Sequence, residues 1–120
     1  MKSKVLLVDD DRDIRDALSM SLRAQGYVVE TASDGVEALE CLRANAPPHV
    51  ILLDLMMPVM NGWEFRLEQL KDEQLAKIPV IIVSADCDAL KAARELETAA
   101  VLRKPFEMSA LLALLARHAV

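Results

Sequence analysis

Lys4–Asp11 reads K-V-L-L-V-D-D-D, an apolar run that is β-branched at both ends and stops against three acids. The run is too short for a helix and lacks polar alternation, which is the pattern of a strand covered on both faces. Parallel sheets are built from such strands, because each crossover lays a helix over the sheet. The stretch therefore predicts a helix next, then another strand, and so on along the chain.

The rest of the chain keeps that rhythm. Ile14, Ala17, Leu18, Ser21 and Leu22 fall at helical spacing, with Asp11 or Asp13 available as a cap and Gly26 as a left-handed stop. Tyr27–Thr31 is the second strand, and Ser33-Asp34-Gly35 opens a helix through Val36, Leu39 and Leu42 that ends near Ala44. After the breakers Asn45–Pro48 comes His49–Asp54, the most apolar strand. Met57-Pro58 and Asn61-Gly62 form a loop before a helix carrying Trp63, Phe65, Leu67 and Leu70. Pro79–Val83 is the fourth strand and ends at Ser84; Ala89, Ala92, Ala93 and Leu96 mark the fourth helix. Ala100–Leu102 is a weak fifth strand, followed by Lys104-Pro105-Phe106 and a last helix, with Ser109 as its cap, rich in Leu111, Leu112, Leu114 and Leu115. Five strand–helix pairs in alternation predict an α/β, doubly wound, five-stranded parallel sheet with five helices.

The 120 residues hold one domain, 1–120, with 53% hydrophobic and 28% charged residues, enough to bury a core and stay in solution. A net charge of -5 argues against direct nucleic-acid binding, which needs a basic face. No apolar stretch approaches the ~18 residues of a membrane span. Two cysteines, Cys41 and Cys87, and no signal peptide point to a reducing cytoplasm. An N-terminal Met ahead of an immediate first strand suggests a true start, while an end at Val120 suits either a stand-alone protein or one domain of a longer one.

In an open parallel sheet, ligands bind beyond the carboxyl ends of the strands. Asp9 and Asp10 follow the first strand, Asp54 the third, Ser84 the fourth and Lys104 the fifth. Three converging carboxylates repel one another and need a countercharge. A hard divalent cation such as Mg²⁺ takes oxygen ligands and meets that need, and Lys104 adds a mobile positive charge. Metal, lysine and hydroxyl around one carboxylate are what aspartyl phosphate formation requires. Singly, each residue has a plainer reading: Asp54 as a turn or helix cap, the paired acids as a solvated first turn, Ser84 as a cap, Lys-Pro as loop chemistry. Joint placement at four of five strand ends favours the site.

V-D-D at Val8–Asp10, D-L-M-M-P at Asp54–Pro58, N-G at Asn61–Gly62, V-S-A at Val83–Ala85 and K-P-F at Lys104–Phe106 together resemble the response-regulator receiver domain of two-component signalling, over essentially the whole chain. The resemblance implies a flavodoxin-like sheet of order 2-1-3-4-5. It implies Asp54 as phosphoacceptor, Asp10 and Asp54 as direct Mg²⁺ ligands, Asp9 as a ligand through water, and the Met56 carbonyl as the third protein ligand. Ser84 takes the hydroxyl switch position, Lys104 contacts the phosphoryl group, and Lys104-Pro105 is expected to be cis. The implied partners are a sensor histidine kinase or a histidine phosphotransfer protein, and downstream an effector protein or a C-terminal output domain. A monomer, or a weak dimer through the face of fourth helix, fifth strand and last helix, is expected.

Val101 stands where the family usually has Tyr or Phe, and a short side chain stiff at χ1 cannot swing as an aromatic does. Glu97-Thr98-Ala99-Ala100 lacks the family's glycine before the fifth strand, and Val59 stands where glycine is frequent. Two enzymatic or carrier readings fit less well. A haloacid-dehalogenase-type phosphohydrolase wants a second Asp two residues past the nucleophile, where this chain has Met56. A flavin carrier wants a phosphate-binding loop after the first strand, where Asp9–Asp11 would repel phosphate. The chain is read as a signalling domain rather than an enzyme.

Overall fold

The computed structural model describes residues 3–119. The elements run β1 (Lys4–Val8), α1 (Arg12–Ala24), β2 (Val28–Ala32), α2 (Gly35–Ala44), β3 (Val50–Leu53), α3 (Gly62–Leu70), α4 (Glu73–Ala76), β4 (Val80–Ser84), α5 (Ala89–Glu95), β5 (Ala100–Arg103) and α6 (Met108–His118). All sheet pairings are parallel, in the order β2-β1-β3-β4-β5. The α/β reading and the strand order both hold.

Alternate residues of each strand feed opposite faces. Leu6, Val8, Ile51 and Leu53 pack with Ala38, Leu39 and Leu42 of α2 and Phe65 of α3. Val5, Leu7, Val50, Leu52, Ile81 and Val83 pack on the other side with Leu22 of α1 and Leu111 and Leu115 of α6. A smaller cluster, Leu55, Ile82, Ala89, Ala92 and Leu96 with Trp63 and Val101 against it, lies beneath α5. Each Leu or Ile so buried contributes ~1.5–3 kcal/mol, which makes the central strands the mechanical base of the site.

Among the described residues six helices stand where five were expected. The addition, α4, has four residues, capped by Asp72, whose side chain accepts from the Gln74 and Leu75 amides. It buries Leu75 and is too short to show a helical period. Asp11 and Asp34 cap α1 and α2 with their carboxylates, and Gly26 takes the left-handed stop at φ 97°. Ser109 does not cap α6: the helix begins at Met108, and Ser109 lies inside its first turn. Without a glycine after α5, Glu97 itself adopts φ 52°, and the Glu97 and Thr98 amides close the helix on the Arg94 and Ala93 carbonyls. Lys104-Pro105 is cis, as expected.

Candidate functional site

The register of the central strands brings the charged residues together. Val8 pairs with Leu53, so Asp9 and Asp54 emerge side by side just beyond β1 and β3. The Asp54 amide donates to the Val8 carbonyl at 3.0 Å and the Asp9 amide to that of Ala32 at 3.1 Å, which locks both backbones. Gly62 lies against this corner: a Cβ there would meet the Asp54 carbonyl oxygen at 2.6 Å and Leu55 Cα at 2.8 Å, so only glycine permits α3 to start so close.

Asp9 and Asp54 are buried, while Asp10 is exposed. One oxygen from each of Asp9, Asp10 and Asp54 lies within 4.8 Å of the others. Lys104 Nζ donates to Asp9 Oδ2 at 2.7 Å and to Asp54 Oδ2 at 3.4 Å. The lysine thus sits closer to Asp9 than to the expected phosphoacceptor. Asp9 Oδ1 accepts from the Asp11 amide at 2.9 Å, and Asp54 Oδ1 from the Met56 amide at 3.4 Å. Arg15 Nη1 donates to the Asp9 carbonyl at 2.8 Å, tying α1 to the site. Sequence reasoning missed Arg15, because a charged residue in the first turns of a helix carries no mark of the carbonyl it meets.

Ser84 is fully buried at the end of β4. Its Oγ accepts from the Asp86 amide at 3.1 Å, and its carbonyl accepts from the Lys104 amide at 3.0 Å. It lies on the same edge as Asp54 and does not cap a helix, since α5 begins after Asp88. The Met56 side chain is exposed. The expected aromatic position, Val101, is half-buried in the cluster beneath α5. Cys41 and Cys87 are both free.

The electrostatics follow from this crowding. Burial raises the Asp54 pKa; the Lys104 charge opposes the rise and the Asp9 charge adds to it, and the net shift is upward. Burial alone would lower the Lys104 pKa, but its hydrogen bond to Asp9 and the charges of Asp54 and Asp9 outweigh that and raise it. Lys104 is therefore a fixed cation among three acids, and negative charge remains in excess. The donor set suits Mg²⁺: all hard oxygens, each within 4.8 Å of the others.

Beside Lys104, between α1 and the β5–α6 loop, a cavity of about 470 Å³ is lined by Ile14, Leu18, Ala85, Pro105 and Phe106. It is an apolar groove that opens beside the acidic cluster. Among the described residues no helix is long and apolar enough to cross a membrane.

Residues 5–116 match the model of the response regulator receiver domain. Response regulator MprA of Mycobacterium sp. (strain KMS) is 38% identical over 117 residues, covering 94% of this chain and 49% of that protein. MprA of Mycobacterium leprae (strain TN) is 39% identical over 114 residues, with 92% and 48% covered. The chain thus spans about half the length of the curated relatives it matches. Among solved structures, chemotaxis response regulator CheY4 of Vibrio cholerae superposes with a TM-score of 0.87 at 36% identity, covering 98% of each chain. Response regulator TrrA of Thermotoga maritima, in complex with Mg²⁺-BeF, superposes with a TM-score of 0.85 at 26% identity, again covering 98% of each.

Proposed function

The chain belongs to the response regulator receiver domain family, and from that membership we propose that Asp54 is the residue that accepts the phosphoryl group in two-component signalling. The observation that carries the assignment is the convergence of Asp9, Asp10, Asp54 and Lys104 at one edge of the sheet. An Asp54 oxygen attacks the phosphorus of a phosphohistidine; the O–P bond forms, the P–N bond breaks, and the imidazole leaves with a proton. Lys104 is tethered between Asp9 and Asp54 and is near enough to follow the added negative charge. Ser84 supplies one hydroxyl donor on the same edge. Asp10, Asp54 and the Met56 carbonyl are the residues to hold Mg²⁺ directly, with Asp9, already bonded to Lys104, acting through water. Bound there, Mg²⁺ would neutralise the charge that develops on the transferring phosphoryl oxygens.

The phosphoryl donor in this reading is a sensor histidine kinase or a histidine phosphotransfer protein, and the apolar groove between α1 and Phe106 gives a helix bearing the histidine a place to lie. Output passes to an effector protein or to a C-terminal output domain. Residues 1–120 act as a single receiver, cytoplasmic, with no nucleic acid or membrane contacted directly, as a monomer or a weak dimer through the α5–β5–α6 face. The chain acts as a signalling switch rather than as an enzyme turning over a small-molecule substrate.

Titration with Mg²⁺, followed by the thermal midpoint and by Trp63 emission, tests the site. A ligand at 100-fold its Kd adds about 2.7 kcal/mol to stability, so the midpoint should rise. Asp10→Asn and Asp54→Asn should each weaken the response several-fold. Equal stabilisation of native chain and both variants would contradict the metal assignment.

A further inference from the structure

Arg66 and Gln69 of α3 are almost completely buried, 5% and 0% exposed. The Arg66 guanidinium reaches across to the end of α5: Nε donates to the Leu96 carbonyl at 3.1 Å and Nη2 to the Glu97 carbonyl at 3.1 Å. Nη1 donates to Gln69 Oε1 at 2.9 Å. Gln69 Nε2 in turn donates to the Leu75 and Ile78 carbonyls at 2.8 and 3.1 Å, which anchors the pair to α4 and the approach to β4. A planar fork of this kind fixes direction as well as distance. It also places positive charge at the carbonyl end of a helix, where the helix dipole favours it.

The two ends of α5 are held very differently. The C-terminal end carries the Arg66 fork. At the N-terminal end Asp88 makes no side-chain cap. That end is reached instead through Ser84, whose Oγ accepts from the Asp86 amide, while Asp86 Oδ1 accepts from the Asp88 amide at 2.8 Å. The helix body rests on small residues, Ala89 and Ala92, which offer little to interlock. Movement of the Ser84 hydroxyl therefore acts on one end of a short helix whose other end is fastened.

We propose that Arg66 is a positioning residue that pins the C-terminal end of α5 to α3, so that a shift of the Ser84 hydroxyl becomes a pivot of α5 about that end. The proposal rests on the reading of the Asp54 site as one whose occupancy changes. It assigns the turning point to α3, an element outside the phosphoacceptor cluster.

Amide hydrogen exchange on the whole chain tests it, with Mg²⁺ plus beryllofluoride as the probe, using the native protein, Arg66→Met and Arg66→Lys. Without the probe, the Leu96, Glu97 and Thr98 amides should exchange about tenfold faster in Arg66→Met, while those of β3 stay unchanged. Arg66→Lys keeps the charge but loses the fork, and should move the same amides if the Met variant does not fold. With the probe, exchange at residues 86–91 of the native protein should change several-fold and that at 96–98 should not; in the Arg66 variants both ends should change. Unaltered exchange at 96–98 in the probe-free variants would overturn the pin, as would equal probe responses at the two ends of native α5. A ¹⁹F signal from bound beryllofluoride reports separately whether the site is filled, so failure of the Asp54 reading is distinguishable from failure of the pin.

Discussion

Asp54 carries its negative charge at a cost to the folded state. Burial and the neighbouring Asp9 raise its pKa above the ordinary 3.8, and Lys104 offsets only part of this. A raised folded pKa means that the fold favours the protonated carboxyl. Its stabilising effect is present below the unfolded pKa and is lost as pH rises through the folded value. In metal-free buffer at neutral pH, Asp54→Asn should therefore be more stable than the native chain by about 1 kcal/mol. The advantage should shrink as pH falls through the raised pKa, and Mg²⁺ should erase it by stabilising the native chain more than the variant. Urea unfolding at several pH values, with and without metal, reads all three effects; a less stable Asn variant at neutral pH would show that Lys104 fully compensates Asp54. At this scale the acids, Ser84 and Lys104 were legible in sequence, because each stands at or just beyond the end of an apolar strand. Arg15, Arg66 and Gln69 were not, since their partners are carbonyls or amides of distant segments and leave no local pattern.

Among the elements, the loop from β3 to α3 holds the clearest local strain. Val59 adopts φ 68°, and the Met60 amide donates to the Pro58 carbonyl at 2.7 Å, closing a three-residue turn around it. This is the positive-φ γ-turn, rare and strained, on a β-branched residue. Val59 is 80% exposed, so its side chain gives little packing in return. Val59→Gly should raise the urea midpoint by the equivalent of ~1 kcal/mol, being relief of ~1–3 kcal/mol of strain less the added chain entropy of glycine. A lower midpoint would mean that the turn is not held at positive φ in solution. The absence of glycine was readable at both Val59 and Glu97; that the chain would keep the left-handed conformation anyway was not. The loops are set by hydrogen bonds such as Gly35 to Met60 and by the Arg66 fork, which lie beyond any sequence window. The four residues of α4 escaped for the related reason that one turn has no period.

Across the whole molecule, the parallel sheet and the site location follow from one fact, apolar runs that end in charged or hydroxyl residues, whereas the strand order was legible only through the family resemblance. Parallel pairing aligns the carboxyl ends of β1, β3, β4 and β5, and so gathers Asp9, Asp10, Asp54, Ser84 and Lys104 at one edge. Lys104 is 95 residues from Asp9 in sequence yet bonds to it, so the charge balance of the site depends on the complete sheet. Incubation with a small acyl phosphate donor and Mg²⁺, followed by intact mass, measures phosphorylation of Asp54. The native chain should gain one phosphoryl group, Asp54→Asn should gain none, and chelation of Mg²⁺ should abolish the gain. Equal labelling of the Asn variant, or no labelling of the native chain with any donor, would contradict it.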